Sequence, residues 1–278
     1  WEGDGNKETV FAIKYSNQFA NWDYPFQKSN QICLYLGLRG QDYLRTFPFG
    51  QGWGFGTVNP KIWEEWPDDD LRKTGSIFNV TNRNEVRLYT FGADNHVDET
   101  SYVQKKYIPI NVYADGTHTV VKNYSQELYG NTVENYMLNN TQDLVLIRFA
   151  DVLLMAAELN LSTGKAQAYL DRVRSRVNLP SVPATLENIK AERRFELAFE
   201  GVRFYDLLRW HDADRVLNDN QKEITIYRSR TETVTKTITY RPETNGFLQI
   251  PLSEMELSKG VLTANPGWGS ESAYQDIY

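Results

Sequence analysis

The sequence predicts a mainly α fold: a helical hairpin plus a third helix, with long irregular loops and short β-hairpins. Three observations predict it. After residue 142, apolar residues recur at spacings of three and four in three successive segments. Before residue 142 the chain is rich in Gly, Asn, Asp and aromatic residues and keeps no helical period. Near the end, residues 231–241 alternate strictly between Thr and apolar positions. The chain therefore divides into 1–141, loop-rich with short strands, and 142–278, a helical core with a C-terminal hairpin and closing loop. The two read as parts of one structural unit. At 278 residues it is long enough to bury a sizeable core.

Taken in order, "ETVFAIKYS" (8–16) and "QICLYLGL" (31–38) read as short strands. Cys33 sits in the second as a buried thiol. A single cysteine excludes an intramolecular disulfide and a Cys-based zinc cluster. "RTFPFGQGWGFGTVNP" (45–60) has too many Gly and Pro to be anything but a loop. "NPKIWEEW" (59–66) starts a helix with Pro60 in its first turn. Trp63 and Trp66, three apart on that helix, read as core.

The first helix of the hairpin spans 144–161, with Leu146, Ala150, Leu153 and Ala157 on one face and Gly164 as its stop. The second spans 165–179, with Ala166, Leu170, Val173 and Val177 on one face and Pro180 as its end. Ala150, Ala156, Ala157, Ala166 and Ala168 allow the two to approach closely. Thr185 caps a third helix that runs on to Trp210. Its Arg193, Glu196, Glu200 and Arg203 share one stripe and are expected to pair with one another beneath the surface. Gly201 costs about 1 kcal/mol against Ala in mid-helix, which predicts a neighbouring backbone packed against it. "TETVTKTITYR" (231–241) reads as a half-buried strand of a hairpin.

Several functions are excluded by composition. The net charge of −6 and the lack of a long basic run speak against nucleic acid and anionic membrane surfaces as partners. No apolar run approaches the ~20 residues of a membrane-spanning helix. His96, His118 and His211 are isolated, so a His-based metal site is not expected. Glu196 and Glu200 lack the Glu-x-x-His partners of a di-iron bundle. No metal or cofactor is implied.

The loops are more suggestive. Sugars present apolar C–H faces that stack on aromatic rings, while polar groups read their hydroxyls. Trp22, Tyr24, Phe49, Trp53 and Phe55, beside Asp42 and Arg45, suit a glycan platform. A glycoside hydrolase is one alternative. Glu64, Glu65, Asp68, Asp69 and Asp70 supply acids, but a working pair must sit ~5–10 Å apart across a cleft. A helical scaffold that binds protein peptides is another.

Five ordered blocks carry a resemblance to a known family. They are "GWGFGTVNPKIWEEWPDDDLRKTG" (52–75), "KKYIPI" (105–110), the hairpin blocks "LIRFADVLLMAAELNL" and "LDRVRSRVNLP", then "IKAERRFELAFEGVRFYDLLRW", and finally "FLQIPLSEMELSKGVLTANPGW" (247–268). They resemble the SusD/RagB family of outer-membrane nutrient-binding lipoproteins of Bacteroidetes. The resemblance implies a SusD-like fold in which the hairpin is TPR-like. It implies a non-catalytic protein that binds a glycan of the starch or oligosaccharide type and hands it to a TonB-dependent SusC-like transporter. It implies a place on the extracellular face of the outer membrane, held by a lipid anchor outside this chain, since Cys33 lacks the context of a lipidation site. The resemblance begins mid-family, so the N-terminal half of the same protein is a further expected partner.

Overall fold

A computed structural model describes residues 6–16, 18, 28–36, 52–79, 100–108, 111–113, 120–123, 138, 140–220, 222–227 and 232–269. Along the chain these form β1 (Thr9–Ile13), α1 (Gln31–Leu36), α2 (Pro60–Glu65), α3 (Leu71–Ser76), β2 (Ile77–Asn79), β3 (Tyr102–Gln104), β4 (Asn111–Tyr113) and β5 (Val120–Asn123). There follow β6 (Leu144–Arg148), α4 (Phe149–Leu159), α5 (Ala166–Ser175), α6 (Leu186–Glu196), α7 (Arg203–Arg209), β7 (Glu223–Tyr227), β8 (Thr233–Thr237) and α8 (Leu252–Leu257). Helices carry the core. The described strands pair only two by two: β1 with β6, β2 with β3, β4 with β5, and β7 with β8.

The chain divides into two compact units, Trp1–Gly201 with Thr225–Val234, and Val202–Ile224 with Thr235–Tyr278. In the first, α4, α5 and α6 bury Ala150, Leu153, Leu154, Ala157, Leu170, Val173 and Ile189 against one another. Ala150 and Ala157 have almost no side chain to hold helices apart, so α4 comes close enough for Leu154 and Leu170 to lose all solvent contact. A second cluster joins Val58, Trp66, Ile77 and Ala198, with Trp66 stacked on Phe195 at 4.9 Å. Trp66 is thus core as expected, while Trp63 is half-buried and packs on this cluster from outside. The second unit has a smaller core of Leu207, Ala213 and Val216, flanked by Leu208, Leu217 and Tyr240.

Several expectations are corrected. Residues 31–36 are helical: Asn30 caps them by accepting from the Ile32 N–H at 3.0 Å, an Asx cap that outweighs the strand propensity of the segment. The hairpin's first helix starts at Phe149. Residues 144–148 pair as a strand with β1, Ile13 opposite Leu144 and Thr9 opposite Arg148, so Leu146 is 44 % exposed rather than core. The second helix stops at Ser175, and Asn178 turns the chain at φ +58°.

The third helix is two. Phe199 at φ +66° and Gly201 at φ +81° lie in the left-handed region, which no right-handed helix accommodates, so α6 ends and α7 begins afresh. Nothing lies within 4 Å of where a Cβ on Gly201 would stand, so this glycine supplies its φ and not a close approach. Strand β8 is exposed at all five positions, where a half-buried strand was expected.

Candidate functional site

Helix α1 and the extended segment after residue 52 lie side by side. The N–H of Trp53 donates to the Leu34 carbonyl and that of Phe55 to the Tyr35 carbonyl, each at 2.8 Å. Gly56, at φ +72°, lets this segment turn where a Cβ would lie 2.6 Å from Leu36 Cδ2. Those contacts bring three rings together. Tyr35 and Trp53 are 5.3 Å apart and tilted by 55°, Tyr35 and Phe55 are 6.3 Å apart and within 29° of parallel, and Trp53 meets Phe55 edge-on at 6.0 Å. Trp53 anchors the group on buried Leu34 and Leu138. Tyr35 and Phe55 remain 40 % and 50 % exposed.

Of the residues the sequence singled out, Trp53 and Phe55 are therefore brought together. Trp22, Tyr24, Asp42, Arg45 and Phe49 lie outside the described residues. Tyr35 was missed, because a strand reading of 31–38 gives no reason to place it beside Trp53. The signal that would have found it is Asn30 as a helix cap.

A second arrangement fills the space where α6 meets α3, β6 and the end of α5. Arg72 binds Asp70 at 2.7 Å, Glu192 at 2.5 Å and Glu196 at 2.6 Å. Arg148, where β6 becomes α4, reaches Glu196 at 2.6 Å, Glu200 at 2.7 Å and Glu8 at 3.3 Å, and also donates to the Glu196 carbonyl. Arg174 holds Glu192, Arg176 holds Glu196, and Lys106 holds Glu200. Glu192, Glu196, Asp70 and Arg148 are all buried. The expected stripe is corrected here. Glu196 and Glu200 pair with cations from other elements, and Arg193 pairs with Asp151 of α4 at 2.7 Å. A buried carboxylate needs several donors, more than one turn of its own helix supplies.

The electrostatics follow from that geometry. Burial alone would raise Glu196, but Arg148, Arg176 and Arg72 outweigh it and hold its carboxyl down to about 2. Asp70 is likewise held below the ordinary carboxylate range, against burial, by Arg72 and the Trp66 indole N–H. Burial lowers Lys106 despite the attraction of Glu200. A general acid must still hold its proton near neutral pH, and Glu196 cannot.

Three of the five acids at 64–70 are also engaged. Asp70 caps α3, Asp68 binds Lys73 at 2.5 Å, and Glu65 pairs with Arg194. Among the described residues no group of three or more His, Cys, Asp or Glu could hold a metal ion.

The sequence profile of the SusD family matches residues 7–268. A SusD-like protein P2 from Formosa agariphila is 27% identical over 236 residues, covering 79% of this chain and 42% of that protein. Among solved structures, a laminarin-binding SusD-like protein is 29% identical with a TM-score of 0.69, over 95% of this chain and 50% of the other. Surface glycan-binding protein A from Bacteroides fluxus is 26% identical with a TM-score of 0.67, over 94% of this chain and 51% of the other. The chain thus spans about half the length of these relatives.

Proposed function

The chain belongs to the SusD family, and from that premise we propose that it is part of a non-catalytic glycan-binding protein, with Tyr35, Trp53 and Phe55 as the described part of its binding surface. The family and the solved relatives are carbohydrate-binding proteins, not enzymes. The observation that carries the reading is the cluster itself. Three rings, two of them well exposed, are held at an edge by backbone hydrogen bonds and a buried anchor. Rings kept in place before the ligand arrives lose little freedom on binding it. Trp22, Tyr24, Asp42, Arg45 and Phe49 are proposed to extend the same surface.

Laminarin is the glycan to try first, because a relative of 29% identity is named for binding it. The starch-type ligand implied by the sequence resemblance stands second. Delivery to a SusC-like transporter, a position on the outer face of the outer membrane, a lipid anchor, and packing against the other half of the longer protein complete the proposal. The test is calorimetric titration of the full-length protein with laminarin and with starch oligosaccharides. Trp53→Ala is expected to weaken laminarin binding about tenfold or more, roughly 1.4 kcal/mol, without release of new reducing ends. Unchanged affinity in both Trp53→Ala and Tyr35→Ala would remove the cluster from the binding surface. Reducing ends lost on Glu64→Gln would restore the hydrolase alternative.

A further inference from the structure

In the first unit a cleft of about 410 Å3 opens above the ion cluster. Its floor is Arg72, Arg148, Glu196 and Glu200, already bound to one another. Its sides and mouth differ in kind. Ser76 lines it and is only 6% exposed, yet its hydroxyl makes no hydrogen bond among the described residues. Arg176 stands at the mouth, half exposed, and uses only Nη2, on both oxygens of Glu196. Its Nε and Nη1 hydrogens have no partner among the described residues. Lys106 donates to the Glu196 carbonyl and to Glu200, which leaves one of its three hydrogens over. Leu71, Gly75 and Val177 add apolar surface, and nothing lies within 4 Å of where a Cβ on Gly75 would stand. A hydroxyl that lines a cleft without a protein partner is open to water or a ligand.

Charge decides which ligand fits. The cluster holds five basic side chains (Arg72, Lys106, Arg148, Arg174, Arg176) against five acidic ones (Glu8, Asp70, Glu192, Glu196, Glu200). The residues that line the cleft itself are four basic (Arg72, Lys106, Arg148, Arg176) and three acidic (Glu8, Glu196, Glu200), so an incoming anion would meet an excess of one positive charge at most and would lie against carboxylates. A neutral, hydroxyl-rich molecule can accept from Arg176 and Lys106, exchange a hydrogen bond with Ser76, and donate to Glu8, whose side chain is 39% exposed, without burying a new charge. The volume falls in the range of small-ligand pockets, ~300–1,000 Å3. We propose that this cleft is a second saccharide site, taking a single neutral sugar unit, built from residues other than the aromatic cluster.

The test uses glucose, glucuronate and inorganic sulfate as probes, titrated into the full-length protein and followed by ligand-observed NMR. Three variants are compared with the parent. Gly75→Phe fills the cleft from a position with open space above it. Arg176→Gln removes the mouth cation while Arg72 and Arg148 still hold Glu196. Trp53→Ala alters the aromatic cluster. The expected result is a glucose-binding component that is preferred over glucuronate and sulfate, survives Trp53→Ala, and is at least tenfold weaker in Gly75→Phe and in Arg176→Gln.

Unchanged glucose binding in Arg176→Gln and Gly75→Phe overturns the inference, as does tighter binding of glucuronate or sulfate than of glucose. Binding lost in Trp53→Ala alone would move the sugar to the aromatic cluster. That would end this inference and leave the glycan-binding reading intact. Laminarin bound through Trp53 with no glucose bound in the cleft would do the same.

Discussion

Helix α6 is held on two sides by different physics. Toward α4 and α5 it contributes Ile189 to a cluster of small and branched apolar side chains, where shape alone decides the fit. Further along the helix, Glu192 and Glu196, both buried, are met by Arg72, Arg148, Arg174 and Arg176 from three other parts of the chain. The apolar side tolerates a change of volume by partial collapse. The charged side has less slack, because a removed partner leaves the remaining buried charges less well paired. The comparison teaches that the least conspicuous apolar positions and the most conspicuous charges of this helix both serve cohesion. They differ in how steeply they fail.

The largest expected effect breaks the charged side. Glu196→Ala takes one carboxylate from each of Arg148, which keeps Glu200 and Glu8, and Arg72, which keeps Asp70 and Glu192, and is expected to destabilise by up to about 3–5 kcal/mol, read as a drop in urea midpoint with unchanged slope. Glu196→Gln keeps the volume and isolates the charge. A midpoint within error of the parent for both would show that the cluster adds nothing to stability. On the apolar side, Leu154→Ala is expected to cost about 3 kcal/mol, from lost burial plus the cavity left behind. A larger loss there than in Glu196→Ala would invert the ranking.

Acid sharpens the contrast. Glu196 lies near 2 in the folded protein against an ordinary value of 4.5. Its folded-state value is depressed, so its stabilisation is fully present above about 4.5 and is lost as pH falls through about 2. Melting curves between pH 5 and pH 2 are therefore expected to fall less steeply in Glu196→Gln than in the parent, whereas Leu154→Ala should run parallel to the parent. Equal slopes in all three would detach acid stability from this residue. The smallest effect is at the surface. Lys14, with its side chain 62% exposed, binds Asp143 at 2.5 Å, and Lys14→Ala should cost no more than about 1 kcal/mol, vanishing at high salt.

The sequence by itself determined the helical hairpin, the Pro60 and Thr185 helix starts and Trp66 as core, because each rests on residues within a turn or two of one another, whereas the hairpin's first helix ends at Leu159 and Gly164 closes only the short turn after it. Trp53 and Phe55 were also legible as loop aromatics. Tyr35 was not, since its place beside them follows from a cap at Asn30 and from hydrogen bonds made by a segment some twenty residues away.

Residues 144–148 carry a helical period and form a strand because β1, more than 130 residues earlier, offers its backbone edge. The break at Phe199 escaped notice for a like reason: helix propensity favours continuing the helix, while packing Ala198 and Phe199 against the Trp66 cluster requires leaving it. The partners of Glu196 and Glu200 were also decided by the tertiary structure alone. A period in sequence shows which side chains share a face. It does not show which distant cations that face will meet. A buried charge settles where enough donors converge, and those donors come together only when the chain has folded.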